Sequence, residues 1–488
     1  MQDATYWAKQ IAEQKISALE LLDLTVKKVE KLNPALNVVV ELDVELAKKY
    51  LETKQPTQGL FEGVPLALKM LGQDIAGMGS TASSRLFAGA VAKQDDNFGR
   101  AIKAAGFIPL AKTNSPEFGF KNITDSALYG DTHNVWNHEY YPGGSSGGAA
   151  SAVASGMFPL ATGGDGGGSI RIPASWSGLI GLKPTRGRTP KGPNGWRGWQ
   201  GAAVDFGLTV SVRDTARLLA ALQTVQEENP FGQSELLSSQ KLLNIGEPRK
   251  KFKIAFTTQT SVQGIEISAD AIQAVRQTAL FLEEMGHEVE EVSYPFDATN
   301  LIQTYYQMNG AETAAMYQQM KFAGPVDDAK LELMTRALLE YGQNVSAADY
   351  IKSLADWDET TVIFQQKIFN EYDIFLTPTT AKTAIKIGEP MQDEATLNKM
   401  AHLTQYSAPE QKEIIWDMFY RSLSYSPYPF VVNLTGQAAI SLPVYLSEQG
   451  LPLGVMAHGS KGSEIQLLEL AYQLEAHGQF AGLATQLW

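Results

Sequence analysis

The chain of 488 residues contains no cysteine. That excludes disulfides, thiolate nucleophiles, cysteine-rich zinc sites and a lipid anchor carried on a cysteine. Histidine is scarce too, with six residues. There is no His-Glu-x-x-His pattern, and the carboxylates show no metal-ligand spacing. No cofactor and no metal are therefore expected. Basic residues are outnumbered, 40 Lys and Arg against 53 Asp and Glu, for a net charge of −13. Phosphate binding leans on Lys and Arg, so nucleic acid is not an expected partner, and the acidity reads as a device for solubility. No apolar run is long enough to cross a bilayer. The first residues reach Lys9, Glu13 and Lys15 without the apolar stretch of a secretory leader. No membrane partner and a cytoplasmic location are the resulting expectations.

What is present is ordinary globular composition, 44% hydrophobic and 19% charged, with ample length for a large core. Ser17-Ala18-Leu19-Glu20 has capping-box spacing and opens an amphipathic helix that should end before Pro34. Val38 to Leu42 reads as a strand. Gly63-Val64-Pro65-Leu66-Ala67-Leu68-Lys69 reads as a turn feeding a buried strand with a lysine at its end. Ala101 to Ala105 is helical, and after Gly106 comes a short strand, Phe107 to Ala111. Further on, Glu227 to Lys251 is a polar connection, Lys253 to Thr258 a strand, Ala269 to Met285 a helix stopped by Gly286, and His287 to Val292 a strand. Thr304 to Asn370 is mostly helical. Tyr372 to Pro378, Pro427 to Val444 and Leu453 to His458 should complete the sheet, and Glu464 to Glu475 is a last helix. Helices alternating with apolar strands predict an α/β fold.

Between Gly143 and Gly187 the composition shifts to Gly, Ser and Ala, and charge nearly vanishes. A flexible linker would have no use for Met157-Phe158-Pro159-Leu160, Ile170-Arg171-Ile172-Pro173 or Trp176. The segment holds Gly143-Gly144-Ser145-Ser146-Gly147-Gly148 and then Asp165-Gly166-Gly167-Gly168-Ser169-Ile170-Arg171. Glycines around a serine let backbone N–H groups approach a ligand closely. Such donors aimed at an oxyanion are worth about 3–4 kcal/mol each. Ser169 needs a base, and no histidine lies in either segment. His133 and His138, the nearest, sit on a polar stretch. A buried neutral lysine can serve instead. Lys69, at the end of an apolar strand, is the candidate. Its pKa would have to fall from about 10.4 to about 7–8, which burial alone can supply.

These segments together resemble the amidase signature family. The resemblance extends through Lys112-Thr113-Asn114-Ser115-Pro116-Glu117-Phe118, Gly181-Leu182-Lys183-Pro184-Thr185-Arg186-Gly187, Ser211-Val212-Arg213-Asp214, Thr377-Pro378 and Asn433 to Pro443. It implies one α/β/α domain over residues 1–488 around a mixed, twisted sheet, with a helical substrate-pocket region at about 300–430. It implies a catalytic triad of Lys69 as base, Ser145 as proton bridge and Ser169 as nucleophile, with a cis peptide before Ser145. The oxyanion would be held by Gly166, Gly167 and Gly168 together with the Ser169 N–H, and Asp165 and Arg171 would hold the loop. The implied activity is hydrolysis of a carboxamide C–N bond through an acyl-enzyme on a small-molecule amide, linear or cyclic; a second copy of the chain is left open as a partner. Two departures stand out. Gly166 occupies a position where the family usually has a larger residue, which predicts a looser loop, and Val135 replaces a usual proline.

Two alternatives compete. Gly143-Gly144-Ser145-Ser146-Gly147 also fits a nucleophile elbow, with His458 or His477 as a late histidine, but the residues before it make a poor buried strand. The glutamine-hydrolysing component of glutamyl-tRNA amidotransferase, which acts in a complex, resembles the same family, yet usually carries Gln where this chain has Ile172 and differs around Trp176. For the pocket, Trp196, Trp199, Phe206, Tyr305, Tyr306, Trp416, Phe419 and Tyr420 are the aromatic candidates. The C-terminal third is similar to the 6-aminohexanoate-cyclic-dimer hydrolase branch.

Overall fold

Thirteen short strands alternate with helices along the chain in the computed structural model, which describes residues 2–54 and 57–487. In chain order the strands are β1 Val39–Leu42, β2 Pro65–Lys69, β3 Ile108–Thr113, β4 Asp125–Ser126, β5 Gly130–Asp131, β6 Ala161–Asp165 and β7 Ile180–Lys183. There follow β8 Val204–Thr209, β9 Lys253–Phe256, β10 Glu288–Glu291, β11 Ile374–Pro378, β12 Ala439–Leu446 and β13 Pro452–Gly459. Eleven of them form one sheet in the order β1-β3-β2-β6-β8-β7-β12-β13-β11-β9-β10, and β4 and β5 make a separate hairpin. Parallel pairing of β2 with both β3 and β6 meets antiparallel pairing of β6 with β8, so the sheet is mixed. The expected α/β architecture is therefore present. Every residue of β2, β3 and β8 is buried, as expected of central strands covered on both faces.

Ser17 and Glu20 do form the capping box that opens the helix Ala18–Leu36. That helix does not stop before Pro34. Proline costs it a hydrogen bond only in the last turn, and Asn33 stitches the exit by accepting from Val38 and Val39 N–H, each at 2.8 Å. Asn37, at φ 49°, then ends the helix in the left-handed region. The Gly/Ser/Ala stretch is helical in two places, Gly147–Ala154 and Arg171–Ser177, every residue of both being buried. Burial among small side chains overrides the poor helix propensity of glycine and serine. The expected strand from Pro427 is a helix, Val431–Thr435, ended by Gly436 at φ 85°, before β12 begins. The polar connection 227–251 carries one short helix, Ser239–Leu243, pinned by buried Leu242.

Between 299 and 425 the chain forms a mostly helical stretch, with Thr299–Ala323, Leu333–Gly342, Ala347–Phe364, Glu394–Ala401 and Ala408–Tyr425. It is interrupted by β11, which joins the main sheet. These helices bury an apolar cluster of their own, including Ile302, Leu338, Phe364, Ile415 and Met418. A second, larger cluster fills the sheet side, with Leu66, Leu68, Ala149, Phe206 and Leu218. Among the described residues, no helix is long and apolar enough to cross a membrane.

Candidate active site

Adjacent strands bring the candidate residues together. Lys69 ends β2, Asp165 ends β6, and Asp205 on β8 lies opposite Gly164 of β6. Ser145 precedes the helix Gly147–Ala154, and Ser169 precedes Arg171–Ser177. Ser146 N–H donates to the Ser169 carbonyl at 3.3 Å, so the two Gly/Ser segments are stitched directly. The peptide bond Gly144–Ser145 is cis.

Lys69 Nζ lies 2.7 Å from Ser145 Oγ and 3.4 Å from the Gly164 carbonyl. Burial pushes its ammonium down to about 8, against the opposing pull of Asp205 and Asp165. Gln73, which carries no sequence signal, positions it. The Gln73 Oε1 accepts from Lys69 N–H at 3.0 Å and from Thr162 Oγ1 at 2.6 Å, while Nε2 donates to Gly163 O at 2.9 Å. Lys112 and Lys183 are equally buried and also lowered by desolvation. Their ammonium groups are tied to the carbonyls of Gln73 at 2.5 Å and Pro184 at 2.8 Å. Gly119 stands in the left-handed region, at φ 74°, which favours glycine, and a Cβ there would crowd Leu71 Cδ2 at 2.8 Å and Ser145 Oγ at 3.1 Å.

The loop before Ser169 is organised around Asp165. Its carboxylate accepts from the N–H groups of Gly168 at 2.8 Å, Ile170 at 3.1 Å and Arg171 at 3.3 Å. The Arg171 guanidinium meets it through Nε at 2.9 Å and Nη2 at 2.8 Å, and Asn433 Nδ2 adds a bond at 2.9 Å. Burial alone would raise the Asp165 pKa; Arg171 and Asn433 overcome it and hold the carboxyl well below the usual range. One expectation needs correcting here. The Gly168 N–H is taken by Asp165 and faces the loop's own carboxylate. The N–H groups of Gly166, Gly167 and Ser169 have no hydrogen-bond partner among the described residues.

This arrangement has relatives. The amidase family profile matches residues 20–468. The chain belongs to the amidase family. As an amidase it is a hydrolase of C–N amide bonds. It is 36% identical over 469 residues to a lipoamidase of Enterococcus faecalis, an alignment covering 95% of this chain and 62% of the lipoamidase, so the chain spans less than two thirds of that relative's length. The structure of 6-aminohexanoate cyclic dimer hydrolase complexed with substrate superposes with a TM-score of 0.87 at 29% identity, covering 97% of this chain and 96% of that one. A bacterial aryl acylamidase of the amidase signature family superposes with a TM-score of 0.80 at 24% identity, covering 96% and 95%, which shows the shared fold.

Two cavities of this amidase meet at half-buried Ser169. The larger, about 390 Å³, also contains Lys69 and Ser145 and is walled by Leu71, Phe118 and Met316. Besides Lys69, its charged groups are Asp165, Asp205, Lys191 and Glu312, Lys191 forming an ion pair with Asp205. The smaller, about 70 Å³, is walled by Tyr305, Tyr306, Phe419 and Phe430. Gly119, Phe120, Ser169 and Trp199 line both, and the Phe120 and Trp199 rings stack at 6.1 Å between centroids. Of the aromatic candidates, Trp199, Tyr305, Tyr306 and Phe419 thus reach the site. Phe206 is core on β8, Trp416 packs edge-on behind Tyr306, Tyr420 faces outward, and Trp196 lines a separate small cavity by Arg186.

No histidine lines either cavity. His133 is half-buried, and its ring bonds the His138 carbonyl at 2.6 Å. His458 is buried on β13 against Thr377, at 3.0 Å, where desolvation drops its pKa to about 3. His477 follows the last helix beside Glu247. Among the described residues, no group of three or more His, Asp or Glu is placed to hold a metal ion.

Proposed function

We propose that this amidase cleaves its substrate through an acyl-enzyme on Ser169, with Lys69 as the base and Ser145 as the proton bridge. The observation that carries this reading is buried Lys69 at 2.7 Å from Ser145 Oγ, in the cavity that also holds Ser169. A lysine with a pKa of about 8 is substantially neutral in mildly alkaline solution and can accept a proton, which an ordinary lysine cannot. Neutral Lys69 takes a proton from Ser145, which takes one from Ser169 as its Oγ attacks the amide carbon. The oxyanion is held by the N–H groups of Gly166, Gly167 and Ser169. The proton returns through Ser145 to the leaving nitrogen, and water, activated along the same route, then cleaves the ester. Asp165 and Arg171 hold the loop and take no part in proton transfer. Esters fall within the same mechanism.

The substrate class we infer is a small amide with an aliphatic chain. One similar protein is named for lipoamide and another for a cyclic dimer of 6-aminohexanoate, and the larger cavity is apolar enough to take such a chain.

Intact-protein mass spectrometry after treatment with a fluorophosphonate, followed by peptide mapping, tests the roles. The expected result is one adduct on Ser169, absent in Ser169→Ala and formed at least a hundredfold more slowly in Lys69→Ala. An adduct on Ser145 would overturn the assignment. No adduct on the isolated chain would favour a partner-dependent role like that of the amidotransferase component.

A further inference from the structure

The larger cavity carries one negative charge that the protein does not match. Asp165 is paired with Arg171 and Asp205 with Lys191, and Lys69 is neutral whenever it acts as a base. Glu312 remains. Among the described residues it forms no ion pair. Arg197, close by in sequence to its partners, is exposed and lies over the Phe231 ring. Glu312 accepts from neutral groups, Trp199 N–H at 2.8 Å, the Tyr350 hydroxyl at 3.2 Å and Gln200. Burial raises its pKa, and those bonds offset the shift only in part. A glutamine would accept from the same donors without the cost of burying a charge. The side chain is half-buried and keeps its place on the cavity wall, where a ligand group can meet it.

The fold also sets where this charge stands. The Tyr305 hydroxyl lies against Gly167 in the nucleophile loop. Glu312 follows Tyr305 on the same face of Thr299–Ala323, two helical turns on, which is about 10 Å along the axis. Apolar Leu71, Phe118 and Met316 wall the cavity that Glu312 shares with Ser169. In the mechanism proposed above, Ser145 returns the proton to the leaving nitrogen. Ser145 and Lys69 line the larger cavity and not the smaller. The leaving amine therefore lies in the larger cavity, on the side of Glu312.

We propose that Glu312 is a specificity residue that selects amides whose leaving amine ends in a second, positively charged nitrogen. The substrate is then an N-acylated diamine, cleaved by water to a carboxylate and the free diamine. Its ammonium pairs with Glu312, and its methylene chain lies against Leu71, Phe118 and Met316. The inference rests on the acyl-enzyme reading for which side of the amide faces Glu312; the binding itself requires no catalysis.

Steady-state kinetics of the whole chain on two pairs of amides tests it. N-(5-aminopentyl)butanamide is compared with N-hexylbutanamide, which carries a methyl group in place of the ammonium. 6-Aminohexanamide is compared with heptanamide, which makes the same exchange on the acyl side. In the first pair kcat/KM should favour the ammonium about tenfold or more, and in the second it should not. Glu312→Gln keeps an acceptor for Trp199 N–H and should bring the first ratio to within about threefold. Met316→Lys, which sets a cation one turn from Glu312, should do the same and serves if the first variant does not fold. A ratio taken within one variant is blind to a general loss of activity or of folded protein, so a purely structural Glu312 would leave it unchanged. Equal kcat/KM in the first pair would overturn the proposal, as would an equal or larger preference in the acyl-side pair, or a ratio that survives either substitution. Two measurements alongside separate this inference from the catalytic one: fluorophosphonate labelling of the parent, and ligand-observed NMR of the first pair bound uncleaved to Ser169→Ala. Labelling of Ser169 without a binding preference removes the role of Glu312 alone, and a binding preference without labelling removes the catalytic assignment alone.

Discussion

Gly166 is glycine because of Trp199. Seen in the sequence alone, a third glycine before the nucleophile predicts a loose loop. In the fold, a Cβ at that position would lie 2.4 Å from the Trp199 ring. Trp199 and Gln200 both stand in the left-handed region, at φ 49°, a conformation that costs non-glycine residues of order 1–3 kcal/mol. Glu312 holds them there, accepting from Trp199 N–H at 2.8 Å and from the Tyr350 hydroxyl at 3.2 Å, while Gln200 donates to that hydroxyl at 2.7 Å. Gly166→Ala should therefore lower kcat/KM about 10–100-fold, and adding Trp199→Ala should recover part of the loss. A double-mutant cycle with purely additive losses would show that the two residues do not meet. Lys69 gives the second prediction at this scale. The rate should rise with pH through about 8 and then level off, following loss of the Lys69 proton. Asp205 favours the charged lysine, so Asp205→Asn should move the midpoint to lower pH. A midpoint that stays put or moves up in the pH–kcat/KM profile would contradict the base assignment.

Between residues and fold stands the nucleophile loop, and its rigidity comes from one buried ion pair. Asp165 and Arg171 are both inaccessible to solvent, 2.8 Å apart, and each further tied to Asn433. Arg171 Nη1 also donates to Pro429 O at 2.7 Å, which fastens the loop to the chain leading into Val431–Thr435. Removing one member of such a pair strands the other charge, at a cost of roughly 3–5 kcal/mol. Arg171→Met should lower the denaturant midpoint accordingly, in equilibrium unfolding followed by tryptophan fluorescence, and slow Ser169 labelling even where the chain remains folded. A midpoint within experimental error of the parent would mean that Asp165 is satisfied without its partner.

At the scale of the molecule, the site sits where two separate apolar clusters meet, one under the sheet and one among the helices of 299–425. Strand ends from the first supply Lys69, Asp165 and Asp205, and one face of Thr299–Ala323 supplies Tyr305, Asn309 and Glu312. The buried base weighs on the stability of the whole. Its folded pKa, about 8, lies below the ordinary value of 10.5. At pH 7 both folded and unfolded states carry the proton, so the folded state bears the full desolvation cost, roughly 3 kcal/mol. Between about pH 8 and 10.5 the unfolded state binds the extra proton, and this cost diminishes as pH rises. Lys69→Met should thus be inactive yet unfold at a higher temperature than the parent at pH 7, with the gain shrinking toward pH 10. Calorimetry showing a lower Tm at pH 7 would mean that Lys69 stabilises the fold as a charge.

Local sequence was enough for the strand ending in Lys69, the two Gly/Ser segments, the capping box at Ser17 and the helices of the C-terminal half, because apolar periodicity, caps and close-approach glycines are short-range signals. It was not enough at Pro34 or at Val431–Thr435, where side-chain bonds from Asn33 and the left-handed Gly436 decide the boundary. The composition of the chain, without cysteine and with histidine outside the motifs, already directed the search for a base to a lysine. Lys69 was singled out by its apolar strand and by the resemblance; the tertiary structure adds that the equally buried Lys112 and Lys183 are tied to backbone carbonyls, whereas Lys69 Nζ lies 2.7 Å from Ser145 Oγ. Gln73 and Glu312 carried no signal in the sequence, because their bonds to Lys69 N–H and Trp199 N–H join segments that only the fold brings together. Each is an ordinary polar residue on its own segment, and its role exists only once the fold has removed water and left one particular atom to pair with.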